Sequence, residues 1–577
     1  MASQDLAESI LAVDYGSAYI KAALFDIVAG EYRFVARGER PSSLEGALLR
    51  AIREIEAVTS RRLLDDGGSL IPTKGDEGVD AFLATTSVSP PLRVAIMGLS
   101  ELSLKSALKV AERGYSKVEK VLPWREDFQA DLKDLHRSQP EVILLAGGVD
   151  GGATSPLVDL ADSLASLYEA EEETAKPILL FAGNREARPL FLEKLRGKLQ
   201  FKAVDNIRPT LEKEDLGGAQ RELERIYIER AAANLPWWER FRGRCTLPPM
   251  TTANALEIVI RFLAQRYGLN VVGLDLGASS TIVASVLDGH FNQTVRTDLG
   301  MAHAIDALLK ERDWEDILRW LPLPLDSAET KAELADKILR APAIPQTAEE
   351  LLLAQAVARE TLRLTLSRAR QLWPQESFGP YPSLSPLLDL VLASGGGLRH
   401  IPDHGQLALL VIDALQPIGV TNLALDDVAL LPQLGALGNL NPSAAAQVLE
   451  RDGFTNLGTV VAPVGHAREG KIILHFKLSF QGKNEIIEGQ ARYGSLQVIP
   501  LGPGQRATLE LRPARGFDIG LGRKGKGATT QVDGGSVGLI IDARGRPLSL
   551  PQDEEKRLAK VGEWLQAVKE PRARRAL

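Results

Sequence analysis

Residues 10 to 27 read ILAVDYGSAYIKAALFDI. An apolar run ends on Asp14, a small-residue turn passes through Gly16, Ser17 and Ala18, and Lys21 leads into a second apolar run. This pattern predicts a strand, a tight loop and a returning strand, with glycine letting the backbone approach a ligand closely. One Asp-X-Gly turn is equally what an ordinary hairpin shows. Residues 271 to 285, VVGLDLGASSTIVAS, repeat it. Two copies, each behind an apolar strand, favour a nucleotide cleft between two related halves.

The chain has 577 residues, 45% of them hydrophobic. That is enough to bury several cores in three or four domains, and it excludes global disorder. A formal charge of -7 supplies no general pull towards nucleic acid or an anionic membrane. The basic stretch KEPRARRAL reads as a solvated tail. Cys245 is the sole cysteine, so neither an intrachain disulfide nor a cysteine metal cluster can form, and a reducing, cytoplasmic setting is expected. No apolar stretch reaches about 18 residues, so neither a signal peptide nor a membrane span is expected.

Further along, residues 43 to 64 have helical spacing, DAFLATTSV and LRVAIMGL read as strands, and SLKSALKVAERG reads as an amphipathic helix capped near Ser100 or Ser103. EVILLAGGVDGG runs a buried strand into Gly147, Gly148, Gly151 and Gly152, and KPILLFAGN follows after a helical segment. Such alternation predicts α/β architecture with parallel strands. ANALEIVIRFLAQRYG is spaced as a helix directly before the second Asp-X-Gly strand. Residues 313 to 345 form a charged, proline-containing excursion, and 347 to 373 predict a long helix. Its apolar side reads as core, and Arg359, Glu360, Arg363, Arg368 and Arg370 as its wet face.

LVLASGGGLRH, residues 390 to 400, sends a strand into Gly395, Gly396 and Gly397. Three glycines suit close approach to a flat or anionic group, and equally a mobile loop. From about residue 454, strand-length segments between glycine turns predict a mostly β module. Its turn RKGKGATT reads as a solvated hairpin turn or a phosphate nest.

Phosphates need backbone or hydroxyl donors and a divalent ion to offset their charge. Asp14 and Asp275 are the candidate catalytic and metal-holding carboxylates, and Lys21 is a candidate phosphate contact. Gly16, Ser17 and Ala18 in the first turn, and Gly277, Ala278 and Ser279 in the second, offer amides. Ser280 and Thr281 offer hydroxyls, and Gly395, Gly396 and Gly397 bound the nucleoside side. ATP and Mg2+ are the expected cofactors, and positioning plus electrostatics the expected chemistry. No GxxxxGK[ST] loop, convincing GxSxG elbow or HExxH motif occurs, and the seven histidines show no metal-ligand rhythm.

Together with FLATTSVSPPLRVAIMGL, ILLAGGVDGG, FAGN, RTDLGMAHA and YGSLQVIPLGPGQRATLELRPARGFD, in this order, these motifs resemble the actin, heat-shock ATPase and sugar-kinase superfamily. More specifically, the chain resembles the glutamate mutase accessory proteins, called MutL or GlmL and unrelated to mismatch repair. The resemblance spans roughly residues 10 to 450 and continues into the C-terminal module. It implies an α/β, actin-like ATPase fold with two ribonuclease-H-like lobes plus a mostly β module. The implied domains are a first lobe over 9-250 with inserted α/β segments, a second over 251-450, the β module over 451-550, and a short helix and basic tail over 551-577.

The resemblance also implies an ATP-dependent chaperone or reactivating factor whose partner is an adenosylcobalamin-dependent mutase or another protein client. By correspondence Asp14, Gly16 and Ser17 fall on the first phosphate motif, Asp275, Gly277 and Ala278 on the second, and Gly395 to Gly397 on the adenosine motif. One departure stands out. Relatives commonly read Gly-Gly-Ala-Thr-Thr-Asp where this chain has Gly277, Ala278, Ser279, Ser280, Thr281 and Ile282. Without the late acid, nucleotide binding is expected to survive better than hydrolysis. Two other classes stay open: a small-molecule kinase of the same superfamily, and a non-catalytic scaffold or filament protein that self-associates.

Overall fold

The computed structural model describes residues 7–73, 76–124, 129–172, 175–233, 241, 243–324, 332, 345–482 and 484–573. Most of the excursion at 313–345 and the last residues of the basic tail lie outside them. The chain divides into two compact units, one of residues 1–85, 245–248 and 252–577, the other of 86–244 and 249–251.

In the larger unit, Ile10–Tyr15 pairs antiparallel with Tyr19–Val28, which pairs antiparallel with Glu31–Pro41. Ala81–Thr86 lies along the other side of the first strand. Ile10–Tyr15 and Ala81–Thr86 are buried at every residue, which is why both read as unbroken apolar runs and not as alternation. Helix Ala47–Thr59 turns Leu48, Ala51, Ile52 and Ile55 inward, with the i, i+3, i+4 spacing of one face.

The same unit holds an eight-stranded sheet in the order His290–Arg296, Thr281–Leu287, Val271–Leu276, Leu390–Ser394, Gly419–Leu425, Thr455–Ala462, Gly538–Asp542, Leu496–Ile499. Val271–Leu276, Leu390–Ser394 and Gly419–Leu425 run parallel, and Thr281–Leu287 and His290–Arg296 return antiparallel at one edge. Helices Ala348–Arg370 and His404–Leu415 bury Leu362, Leu366, Leu407 and Leu410 in one core with Val272, Leu274 and Val391 from the sheet.

Three strands of the C-terminal region therefore belong to the large sheet. The other four make a separate antiparallel sheet in the order Ile486–Arg492, Ile472–Phe480, Arg506–Pro513, Ala528–Asp533. It shares a core with Val461, Leu539 and Ile541 of the large one.

The long helix differs from expectation on its charged side. Arg359 and Glu360, read as wet, are 4% and 1% exposed. Each is buried with partners, as an interior charge must be. Arg359 pairs with Asp413 at 3.0 Å, and the Glu360 carboxylate accepts from Arg319 and from the Trp320 indole.

The smaller unit is an all-parallel sheet in the order Ser116–Pro123, Leu92–Gly98, Val142–Ala146, Ile178–Phe181, Gln200–Ala203, with helices between strands. This is the α/β architecture with parallel strands predicted from EVILLAGGVDGG and KPILLFAGN. Its glycine loop after Ala146 is tied down, because the Asn184 amide donates to the Gly152 carbonyl and the Asn206 amide to the Gly148 carbonyl, both at 2.9 Å.

Candidate functional site

The two Asp-X-Gly turns are copies down to their hydrogen bonds. Asp14 faces Lys21 across the first hairpin, and Asp275 faces Ile282 across the second. The Gly16 N–H donates to the Tyr19 carbonyl at 3.1 Å, and the Gly277 N–H to the Ser280 carbonyl at 2.9 Å. Both glycine amides are thus spent inside their turns and contribute shape, not donors. Among the described residues, the N–H groups of Ser17, Ala18, Ala278 and Ser279 have no backbone acceptor and are the ones left for a ligand.

Asp14 is 2% exposed. Its carboxylate accepts from the hydroxyls of Thr85 at 2.8 Å and Thr252 at 3.1 Å, and the Lys21 ammonium stands 3.5 Å away. Among the described residues Asp275 has no comparable set of hydroxyl donors. Burial pushes its carboxyl up to about 6, and the charges of Asp14 and Asp426 push the same way, against Lys21 and the nearby Ser394 hydroxyl. Asp426 is wholly buried, accepts from the N–H groups of Leu430 and Leu431 and from the Ser394 hydroxyl, and is also raised, first by burial. One ammonium therefore answers three carboxylates.

The third glycine stretch packs on the second hairpin. A side chain at Gly395 would meet the backbone of Leu276 at 2.4 Å, and its φ of +89° also requires glycine. Gly396 and Gly397 open the short helix Gly396–Arg399 directly after it. Arg399 then pairs with Glu39 at 2.7 Å, and Glu39 lies opposite Lys21 on the neighbouring strand. The His400 ring meets Tyr19 of the first turn edge-on, centroids 6.3 Å apart. Behind Lys21 the Arg37 guanidinium donates to the Val428 carbonyl, and the space between them has no room for even one water. The three motifs converge in one unit, and the gap behind Lys21 is closed.

The MutL protein family matches the chain over residues 10–452. The chain belongs to that family. The protein MutL of Clostridium tetanomorphum is 21% identical over 479 residues, covering 77% of this chain and 99% of that protein. Among solved structures, the ATP-dependent caprolactamase from Pseudomonas jessenii aligns over 84% of this chain and 81% of its own, at 11% identity and a TM-score of 0.32. The (R)-2-hydroxyglutaryl-CoA dehydratase component A of Acidaminococcus fermentans aligns over 76% and 99%, at 10% identity and a TM-score of 0.27. Structural likeness this weak transfers no chemistry to the MutL-family chain.

Some expected site residues hold structure instead. The Thr281 hydroxyl is fully buried and donates to the Leu299 carbonyl, so it is not a free donor for a ligand. Ser280 is 5% exposed beside it. Conversely, sequence reasoning assigned nothing to Thr85, Thr252, Ser394, Asp426 or Gly300. Gly300 is the clearest of these, because a side chain there would lie 2.2 Å from the backbone of Ser279. The Met301 and Ala302 N–H groups then bind the carbonyls of Gly277 and Ala278, at 3.0 and 2.9 Å. The stretch RTDLGMAHA carried the signal, without a role attached. Among the described residues, no group of three or more His, Cys, Asp and Glu is arranged to hold a metal ion, and no helix is long and apolar enough to cross a membrane.

Proposed function

We propose that this MutL-family protein binds ATP with Mg2+ between its two Asp-X-Gly hairpins, as an actin-like ATPase with two ribonuclease-H-like lobes. The observation that carries the reading is the duplicated hairpin, same register and same turn bond, with a single lysine facing the carboxylates of both copies. The strand order supports it, since each hairpin runs on into a third antiparallel strand and has another strand along its far side.

In this reading Asp14 and Asp275 hold the cation. Two carboxylates suit magnesium carried by a nucleotide, which keeps waters and phosphate oxygens in its remaining positions. Lys21 and the amides of Ser17, Ala18, Ala278 and Ser279 receive phosphoryl oxygens, and Gly395 to Gly397 bound the adenosine. Asp14 is braced by two threonine hydroxyls and Lys21, while burial and two neighbouring carboxylates raise Asp275, so a bound cation would favour its charged form. Nucleotide is admitted when the Arg399–Glu39 and Arg37–Val428 contacts part. Ile282 stands where relatives carry an acid, so binding outlasts turnover. Calorimetry of ATP with and without Mg2+ tests the reading: saturable, magnesium-dependent heat is expected, and its absence from the wild-type protein overturns it.

The biological role proposed is that of an accessory or reactivating chaperone for an adenosylcobalamin-dependent mutase or another protein client. Its support is the sequence resemblance to glutamate mutase accessory proteins. Affinity purification from the native cell, with and without ATP, should recover a cobalamin enzyme whose retention changes with nucleotide. Recovery of only self-assembled protein would favour the scaffold reading.

A further inference from the structure

The long helix Ala348–Arg370 ends in a second charged region that shares no residue with the two hairpins or the glycine loop. Arg363 and Arg370 from its last turns, Arg319, and Arg312 just past helix Ala304–Glu311 line a cavity of about 310 Å³ together with Asp316 and Glu360. That volume is roughly ten waters. The helix His404–Leu415 begins seven residues after Gly397 and its far end lines the cavity. Twelve residues at 1.5 Å each make about 18 Å between that end and the helix start.

The charges do not balance. Four arginines against Asp316 and Glu360 leave a surplus of two positive charges (4 − 2). One oxygen of Glu360 is already shared by Arg319 at 2.9 Å, Trp320, and Arg363 at 3.2 Å. Asp316 is paired with Arg319 at 3.1 Å. Among the described residues, neither Arg312 nor Arg370 has a carboxylate within ion-pair distance.

Helix capping accounts for only part of this. Arg363 donates to the Asp413 carbonyl at 3.1 Å and Arg370 to the Leu415 carbonyl at 2.7 Å, which satisfies the carboxyl end of helix His404–Leu415. That end carries about half a negative charge, so most of the surplus stands. Among the described residues, the buried Nε groups of Arg319 and Arg370 have no acceptor. Burial and the neighbouring Arg363 pull the Arg370 guanidinium down to about 10, the strain of a cation short of a counter-ion.

We infer that this cavity is a binding site for a small polyanion carrying phosphoryl or carboxylate groups, held by Arg312, Arg319 and Arg370. Forked guanidiniums suit such oxygens, which accept two parallel hydrogen bonds.

Calorimetry with pyrophosphate and with citrate tests this on the full-length wild-type protein and on Arg312→Gln, Arg370→Gln and Lys21→Met. Arg312 is the safer variant, because among the described residues its guanidinium bonds only the carbonyl of Glu311. At least one probe should bind one site in the wild type, Arg312→Gln should weaken it tenfold or more, and Lys21→Met should leave it in place. Pyrophosphate alone would assign the site to phosphoryl groups, and citrate alone to carboxylates. No binding of either probe overturns the inference, as does binding that Arg312→Gln leaves unchanged. Binding lost in Lys21→Met but kept in Arg312→Gln would place the anion in the nucleotide cleft and overturn it too.

Discussion

The two hairpins share a backbone and differ in electrostatics. Both set an aspartate at the end of the first strand, a glycine two residues on, and an amide-to-carbonyl bond across the turn. In the first, the residue opposite the aspartate is Lys21 and two threonine hydroxyls brace the carboxylate. In the second it is Ile282, 1% exposed, and the carboxylate looks towards two others. The turn geometry thus follows from glycine and strand pairing alone. Whether the aspartate is comfortable as an anion follows from the residue seven positions later.

The largest expected effect comes from removing the braced member. Asp14→Ala takes from Lys21 its ion-pair partner at 3.5 Å and leaves two buried hydroxyls without their acceptor. Breaking a buried ion pair from one side and orphaning its hydrogen bonds costs about 3 kcal/mol or more. Urea unfolding should show that loss for Asp14→Ala and not for Asp275→Ala. Equal losses would mean that the two carboxylates are equivalent after all.

The next effect has the opposite sign. The Asp275 carboxyl sits at about 6 in the fold against 3.8 when unperturbed. A raised carboxyl lends its stability in full below about pH 4, and loses it as pH climbs through 6. Asp275→Asn has no proton to lose, so it should gain on the wild type between pH 4 and pH 8. Two units set a ceiling of about 3 kcal/mol, less what solvent screens at this partly exposed residue. The same variant should bind magnesium-ATP more weakly, the trade expected where a site is kept charged for use. A stability difference that does not change with pH would break the comparison.

A third pair of variants exchanges the residue opposite. Ile282→Lys gives Asp275 the kind of partner that Asp14 has, whereas Ile282→Asp adds a further carboxylate. Both lose a buried isoleucine, so the informative quantity is their difference, about 1 to 2 kcal/mol in favour of lysine above pH 7. Turnover should rank the other way. Ile282→Asp supplies the acid that the family resemblance implies at this position and should raise ATP hydrolysis over wild type in a phosphate-release assay; no rise would show that Ile282 is not what limits it.

These elements also show what a sequence discloses. The hairpins, the glycine loop and the parallel strands were legible because each is a local pattern: an apolar run, a small-residue turn, a return. The helix Ala348–Arg370 was legible as a helix, but its charges were misread. Periodicity places Arg359 and Glu360 among polar residues, and distant partners, Asp413 for the first and Arg319 and Trp320 for the second, make their burial tolerable. Thr85, Thr252 and Asp426 escaped for the same reason, since they reach the site from a strand, a helix start and a loop far away in the chain. Likewise, nothing local to the C-terminal strands tells that three of them complete a sheet begun at Val271.

The smallest effect is the one the comparison requires to be equal. A side chain at Gly16 would stand 2.8 Å from the Tyr19 carbonyl oxygen, and one at Gly277 would stand 3.0 Å from that of Ser280. In each turn the added methyl presses on the oxygen that accepts the glycine's own N–H, so Gly16→Ala and Gly277→Ala should each cost about 1 kcal/mol. Their thermal midpoints should agree closely, however different the carboxylates beside them. If Gly16→Ala proves much the more damaging, the turn and the charge pair in the first hairpin are coupled, and the second hairpin is not a copy of the first with one residue changed.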